Sequence, residues 1–275
     1  MTSWLDTCRL CVADIQDVLE RLPTRFEREP VLRIGEGGDE TTAIDQAAED
    51  AVVARLEALG DDFVLVSEEL GERVFGAGGD RRVVVDPIDG SVNAKRGIPF
   101  FSFSLAVAEG TTMGDVTFGY VYDFGTGEEW TAERGGGAFL GGKPIGNVRP
   151  KETIEILSFE GTTTPIIADR LGHVLGVADR VRVMGSLALS LCHLAAGRVD
   201  AVCSLKPARS VDIAAAQLLV RECGLAIELF EDPPFSAAPL DLVMRSRLAA
   251  AGSQALVAEL ANALANGVRP VGSDP

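Results

Sequence analysis

The stretch Val83-Val84-Val85-Asp86-Pro87-Ile88-Asp89-Gly90-Ser91 constrains the fold more than any other part of the 275-residue chain. Three successive β-branched residues specify a buried strand. Pro87 has a fixed φ and no N–H, so the strand is expected to stop at Asp86 and Asp89. Gly90 follows, free to take a positive φ and to let a ligand come close. A strand end with paired aspartates and a bare glycine turn suits a hard metal ion and a phosphate.

The remaining pattern is helices and strands in mixed order. Apolar residues at Leu5, Cys8, Val12, Ile15, Val18, Leu19 and Leu22 give a helix over 3–22, ending before Pro23. Gly35 to Glu40 reads as a loop, its glycines mobile beside Asp45, and a helix follows over about 42–59. Phe63-Val64-Leu65-Val66 is a buried strand running into Ser67-Glu68-Glu69. Strands over 101–108, 116–122 and 128–132, with short turns between them, suggest an antiparallel meander. In the second half, strands at 154–159, 181–183, 200–204 and 225–228 alternate with helices at 165–176, 186–197, 212–223 and 253–265, an α/β pattern. A soft boundary is expected near 145–152. It divides the chain into an N-terminal α+β half, 1–148, and a C-terminal α/β half, 149–275, within one compact unit. The tail from Gly267 to Pro275 is expected to fray.

Composition removes several function classes. The net charge of −16 opposes the attraction a polyanionic nucleic acid needs. No apolar run reaches the roughly 18 to 20 residues of a membrane span. Met1 to Glu20 has no basic region ahead of an apolar core, so it does not read as a signal peptide, and a cytoplasmic location is expected. The odd count of five cysteines and the expected cytosolic setting argue against a disulfide framework, and Cys8 and Cys11 read as helix residues. With only His173 and His193 present, histidine-based zinc or triad chemistry is poorly supplied. Gly137 to Lys143 approaches the P-loop spacing, but Pro144 stands where a Ser or Thr must bind Mg²⁺.

Acidic residues instead recur at strand ends and helix starts: Asp45, Glu68 with Glu69, Asp86 with Asp89, and Asp212. Neighbouring strands lie only about 5 Å apart, so such carboxylates converge on one point. Converged carboxylates repel unless a cation lies between them, and oxygen-only ligands suit Mg²⁺. Taken singly, Asp86 and Asp89 also fit an Asx-type turn, Glu68 and Glu69 a solvated strand end, and Asp212 a helix N-cap.

These residues resemble a known family. Asp86-Pro-Ile-Asp89-Gly90-Ser91, Ser67-Glu68-Glu69 and Val211-Asp212-Ile213-Ala214-Ala215 are similar to the Mg²⁺-dependent, lithium-sensitive phosphatases of the inositol monophosphatase and fructose-1,6-bisphosphatase superfamily. Thr42 to Glu49, Gly136 to Ile145, Gly185 to Ser190 and Ala196 to Asp200 support the likeness, which runs from about residue 40 to 260. The resemblance implies a five-layer αβαβα sandwich, usually a homodimer, with two or three Mg²⁺ ions. By position, Glu68, Asp86 and the Ile88 carbonyl would hold one ion, and Asp86, Asp89 and Asp212 a second. A third would sit near Glu68. Ser91, backed by Asp45, would orient the attacking water. Substrate would meet Gly90, Ser91, Gly185, Ser186, Asp200, Lys206 and Arg209.

The family's inositol-binding glutamate, seven residues before the final aspartate, is replaced here by Leu205, followed by Lys206 and Arg209. Asn93 to Phe101 looks more like the archaeal branch that acts on both inositol monophosphate and fructose 1,6-bisphosphate. Lys206 and Arg209 would then grip a second phosphate, although solvated loop cations have the same appearance. The implied partner is a small phosphorylated sugar or polyol, with no nucleic acid and no membrane. A nucleoside 3′,5′-bisphosphate phosphatase, a histidinol phosphatase and a non-catalytic binding member are the alternatives.

Overall fold

The computed structural model describes residues 3–146, 151–160, 163–231 and 233–266. The boundary expected near 145–152 lies partly outside these residues, and the tail from Gly267 wholly so.

The chain opens with α1 (Trp4–Arg21), capped by Ser3, whose Oγ accepts the Asp6 amide at 3.1 Å. Its stripe of Cys8, Cys11, Val12, Ile15 and Val18 is buried, so both cysteines are helix residues as expected, and they face the core. A short α2 (Arg25–Arg28), β1 (Val31–Ile34) and β2 (Glu40–Thr42) lead into α3 (Ala43–Glu57). Then come β3 (Phe63–Ser67), β4 (Gly71–Phe75), β5 (Arg82–Asp89) and the short α4 (Ser91–Arg96). The meander follows as β6 (Ser102–Ala108), β7 (Val116–Asp123), β8 (Glu129–Glu133), β9 (Gly137–Leu140) and β10 (Lys143–Pro144). The near-P-loop is thus a hairpin at a sheet edge.

The second half comprises β11 (Ile154–Glu160), α5 (Thr164–Arg170), β12 (Ala178–Arg182) and α6 (Leu187–Ala195). These are followed by β13 (Ala201–Ala208), α7 (Ser210–Glu222), β14 (Ala226–Leu229), β15 (Ser246–Ala251) and α8 (Gln254–Asn266). Two sheets result besides the β1–β2 pair. The larger has order β10-β9-β8-β7-β6-β5-β3-β4, and the smaller β12-β11-β13-β15-β14. The larger sheet is antiparallel except for β3 with β5, and β11 is parallel to both its neighbours.

Three buried clusters separate five layers. One lies under α1 and α3 on the outer face of the larger sheet. One surrounds α6 and α7 between the sheets. One lies between the smaller sheet and α8. This is the expected αβαβα sandwich. The middle layer dictates the composition of α7: Ala214, Ala215 and Ala216 are fully buried, and the Ala215 carbonyl lies 2.6 Å from where a Cβ on Gly119 of β7 would stand. Larger side chains there would hold the sheets apart.

The short β1 and β2, together with β4 and β15, are strands that the sequence expectation did not contain. Edge strand β4 carries exposed Glu72, Arg73 and Val74, which gives no alternating signal. β15, Ser-Arg-Leu-Ala-Ala-Ala, lies between β13 and β14 with Leu248 to Ala251 fully buried. Alanine is a weak strand former, and tertiary burial overrides that preference. Among the described residues no helix is long and apolar enough to cross a membrane.

Candidate active site

The strand that carries the aspartates does not stop at Asp86. β5 continues to Asp89, with Asp86 opposite Ser104 and Asp89 opposite Ser102 on β6. Three steps on β5 therefore match two on β6, a bulge placed where Pro87 has no N–H to offer the ladder. The Ile88 amide turns back onto Asp86 Oδ1 at 3.0 Å, the Asx-type turn anticipated from the sequence. Gly90, at φ 91°, then swings the chain into α4. A Cβ there would sit 3.0 Å from the Gly185 carbonyl, so the close approach requires glycine.

Three elements bring carboxylates to this turn. Oxygen atoms of Glu68 (after β3), Asp86 (β5) and Asp212 (α7) all lie within 4.8 Å of one another. Asp89 is buried beside them and is held by the start of α6. Ser186 Oγ donates to Asp89 Oδ2 at 2.5 Å, and the Ala188 amide donates to the same atom at 2.8 Å. Ser186 also caps α6 by accepting the Leu189 amide at 3.2 Å. α7 begins at Ser210, so Asp212 is not its N-cap; it sits in the first turn and accepts the Arg209 amide at 2.7 Å.

Crowding and burial make this cluster electrostatically costly. Burial pushes Asp86 well above the usual carboxylate range, and Glu68 and Asp89 add to it. Burial takes Asp89 up to about 7 in spite of the Ser186 hydrogen bond. Glu68 goes up to about 8, chiefly by burial, with Arg209 opposing. The donors are all oxygen, their charge is only partly offset by one guanidinium, and the site is open to solvent. A hard divalent cation fits such a set.

The surrounding cleft, about 1770 Å³ including its open mouth, collects most of the sequence-expected residues. Glu68, Asp86, Ile88, Asp89, Gly90, Ser91, Gly185, Lys206, Arg209 and Asp212 all line it. Asp45 and Ser91 line a small adjoining cavity with Glu68 and Asp86, while Asp45 Oδ2 accepts the Thr42 amide at 2.9 Å. Arg209 is placed differently from a free phosphate-binding cation: its guanidinium is buried, bonded to Glu68 and 3.2 Å from Asp39. Lys206 remains half exposed, 3.6 Å from Asp39.

Asp200 is not in the cleft. It precedes β13, whose other end carries Lys206 and Arg209, and it accepts the amides of Glu155 and Ile156 at 3.0 and 2.8 Å. The Gly35 to Asp39 loop is tied to the site, because the Gly37 amide donates to the Glu68 carbonyl at 2.9 Å. His193 is structural, stacked on Phe100 at 5.7 Å.

Among the cleft residues to which the sequence reading gave no site role, Asn93 and Glu160 hold the walls together. Asn93 Nδ2 ties α4 to the far wall by donating to the carbonyls of Phe100 and Met184, both at 2.8 Å. Glu160, buried at the end of β11, accepts the Gly185 amide at 2.8 Å and the Ser158 and Ser190 hydroxyls. A charged residue closing an apolar strand was its available signal, because α/β sites form at the carboxyl ends of parallel strands.

Comparison with known proteins agrees with this geometry. The model of the inositol monophosphatase family matches residues 9–268. A fructose-1,6-bisphosphatase/inositol-1-monophosphatase of Methanothermobacter thermautotrophicus is 37% identical over 204 residues, 70% of this chain and 72% of the relative. One from Archaeoglobus fulgidus is 30% identical over 253 residues, 90% of this chain and 92% of the relative. The crystal structure of the MJ0109 gene product, an inositol monophosphatase–fructose 1,6-bisphosphatase, superposes with TM-score 0.81 at 29% identity. It covers 96% of this chain and all of that one. The chain belongs to the inositol monophosphatase family.

Proposed function

We infer that the chain is a Mg²⁺-dependent phosphomonoester hydrolase acting on inositol monophosphate, fructose 1,6-bisphosphate or both. The observation that carries this reading is the meeting of Glu68, Asp86 and Asp212 oxygens within 4.8 Å in an open cleft. Glu68, Asp86, the Ile88 carbonyl, Asp89 and Asp212 would hold the ions. Bound there, Mg²⁺ supplies charge neutralisation and Lewis acidity toward a phosphoryl group.

The chain's own residues do the positioning. Ser186 and the Ala188 amide keep one oxygen of Asp89 occupied, which fixes the direction of the other. The Ile88 amide does the same for Asp86. Ser91, with Asp45 in the same cavity, orients the attacking water. The first turn of α4 lines the cleft and presents amides where phosphate oxygens gather. Phosphoryl transfer needs mainly such alignment and charge compensation, so no covalent enzyme intermediate is required. Lys206 is a half-exposed cation of the cleft that a second phosphate could meet.

Inorganic phosphate release from inositol 1-phosphate, fructose 1,6-bisphosphate, a nucleoside 3′,5′-bisphosphate and histidinol phosphate tests the reading. Release from either of the first two, dependent on Mg²⁺ and abolished in Asp89→Asn, is expected. No release from any of the four overturns the enzyme reading. A homodimer is the assembly the resemblance implies, and sedimentation equilibrium checks it.

A further inference from the structure

Arg209 occupies an unusual place for a cleft cation. Its side chain is only 8% exposed, against 52% for Lys206. Nη2 donates to Glu68 Oε1 and lies 3.8 Å from Asp212 Oδ1, so the guanidinium stands between two carboxylates of the cluster. Nη1 reaches the other way, 3.2 Å from Asp39 Oδ2 and 3.4 Å from the Gly37 carbonyl. A Cβ on Gly37 would meet Nη1 and push the guanidinium aside. The guanidinium thus has two acceptor sets. One belongs to the carboxylate cluster, and the other to the turn between β1 and β2.

We propose that Arg209 is a positioning residue that serves as the internal counter-ion of the Glu68–Asp212 pair and exchanges there with a divalent cation. The inference rests on the reading of Glu68 and Asp212 as metal ligands. A planar guanidinium with five donors satisfies carboxylates from one side much as a cation would. Two cations in one gap repel, so an arriving ion must displace Nη2 from Glu68. Asp39 and the Gly37 carbonyl then retain the displaced guanidinium. Arg209 in this way keeps the metal-free cluster folded and sets the affinity for the ion that replaces it.

Mn²⁺ binding, followed by electron paramagnetic resonance of the free ion at fixed ionic strength, tests this without reference to activity. Arg209→Met should bind Mn²⁺ about tenfold tighter than wild type, a usual size for coupling between two ligands. Arg245→Met removes an equal charge from the same cleft, and among the described residues Arg245 is hydrogen-bonded to the Gly37 carbonyl and to no cluster carboxylate. It should change affinity by less than about twofold, as a screened cation does. Asp39→Asn should weaken binding in the wild-type background and leave it unchanged beside Arg209→Met. Weaker or equal binding in Arg209→Met, equal gains in Arg209→Met and Arg245→Met, or an Asp39→Asn effect independent of Arg209 overturns the exchange. Arg209→Gln serves where the Met variant does not fold. Wild type that binds no Mn²⁺ overturns the metal-site reading itself, a separate result.

Discussion

Ser186→Ala removes a helix cap and a hydrogen bond to a carboxylate through one oxygen, and the structure lets their sizes be separated. The hydroxyl caps α6 through the Leu189 amide, and losing such a cap costs about 1 kcal/mol. It also donates to Asp89 Oδ2 at 2.5 Å, both groups being buried. A hydrogen bond to an ionised group contributes about 1.5–3 kcal/mol, and one to a neutral group about 1 kcal/mol. Burial raises Asp89 in the folded protein from the usual carboxylate range to about 7. Its folded pKa lies above the unfolded value, so its contribution to stability is complete at low pH and is lost as pH rises through about 7. The Ser186 bond limits that loss by favouring the ionised form. Removing it therefore costs about 3 kcal/mol near pH 8.5 but only about 2 kcal/mol near pH 5.5. Urea unfolding in the presence of a chelator, at both pH values, measures this. Ser186→Thr, which keeps the hydroxyl, should recover most of the loss. A cost that is equal at the two pH values, or larger at the lower one, refutes the argument.

Three further expectations follow from the same geometry. Glu49 is fully buried, burial takes it up to about 7, and its Oε1 has no hydrogen-bond partner among the described residues. Its folded pKa is raised, so Glu49→Gln should stabilise the protein by about 2 kcal/mol near pH 8.5 and not near pH 4.5 by urea unfolding. Asp200→Ala should lower stability by about 1–2 kcal/mol through the two lost amide bonds while kcat and KM stay unchanged in the phosphate-release assay. Lys206→Ala should raise KM for fructose 1,6-bisphosphate about tenfold and leave that for inositol 1-phosphate within about twofold, in steady-state kinetics.

Much of the architecture was legible because local rules govern it. The buried runs of β3, β5 and β6, the period of α1 and the meander turns each follow from patterns a few residues long. The opening stretch marked the site for the same reason: a proline, a glycine and two aspartates restrict their own backbone whatever surrounds them. β15 was missed because an Ala-rich run takes strand geometry only when neighbours on both sides impose it.

The residues of the cleft divide along the same line. The sequence by itself determined that Asp86, Asp89, Glu68 and Asp212 stand at element ends, where carboxylates gather, and that Gly90 can turn the chain there. It could not say which end of β13 faces the cleft, because sheet order decides that, and so Asp200 fell on the wrong side. It could not separate Lys206 from Arg209, two cations a few residues apart. Only the tertiary structure set one in solvent and enclosed the other between Glu68 and Asp39. The physical reason is range: backbone preference is written within a few residues, whereas the partner of a charge is whatever the fold carries to within a few ångströms of it.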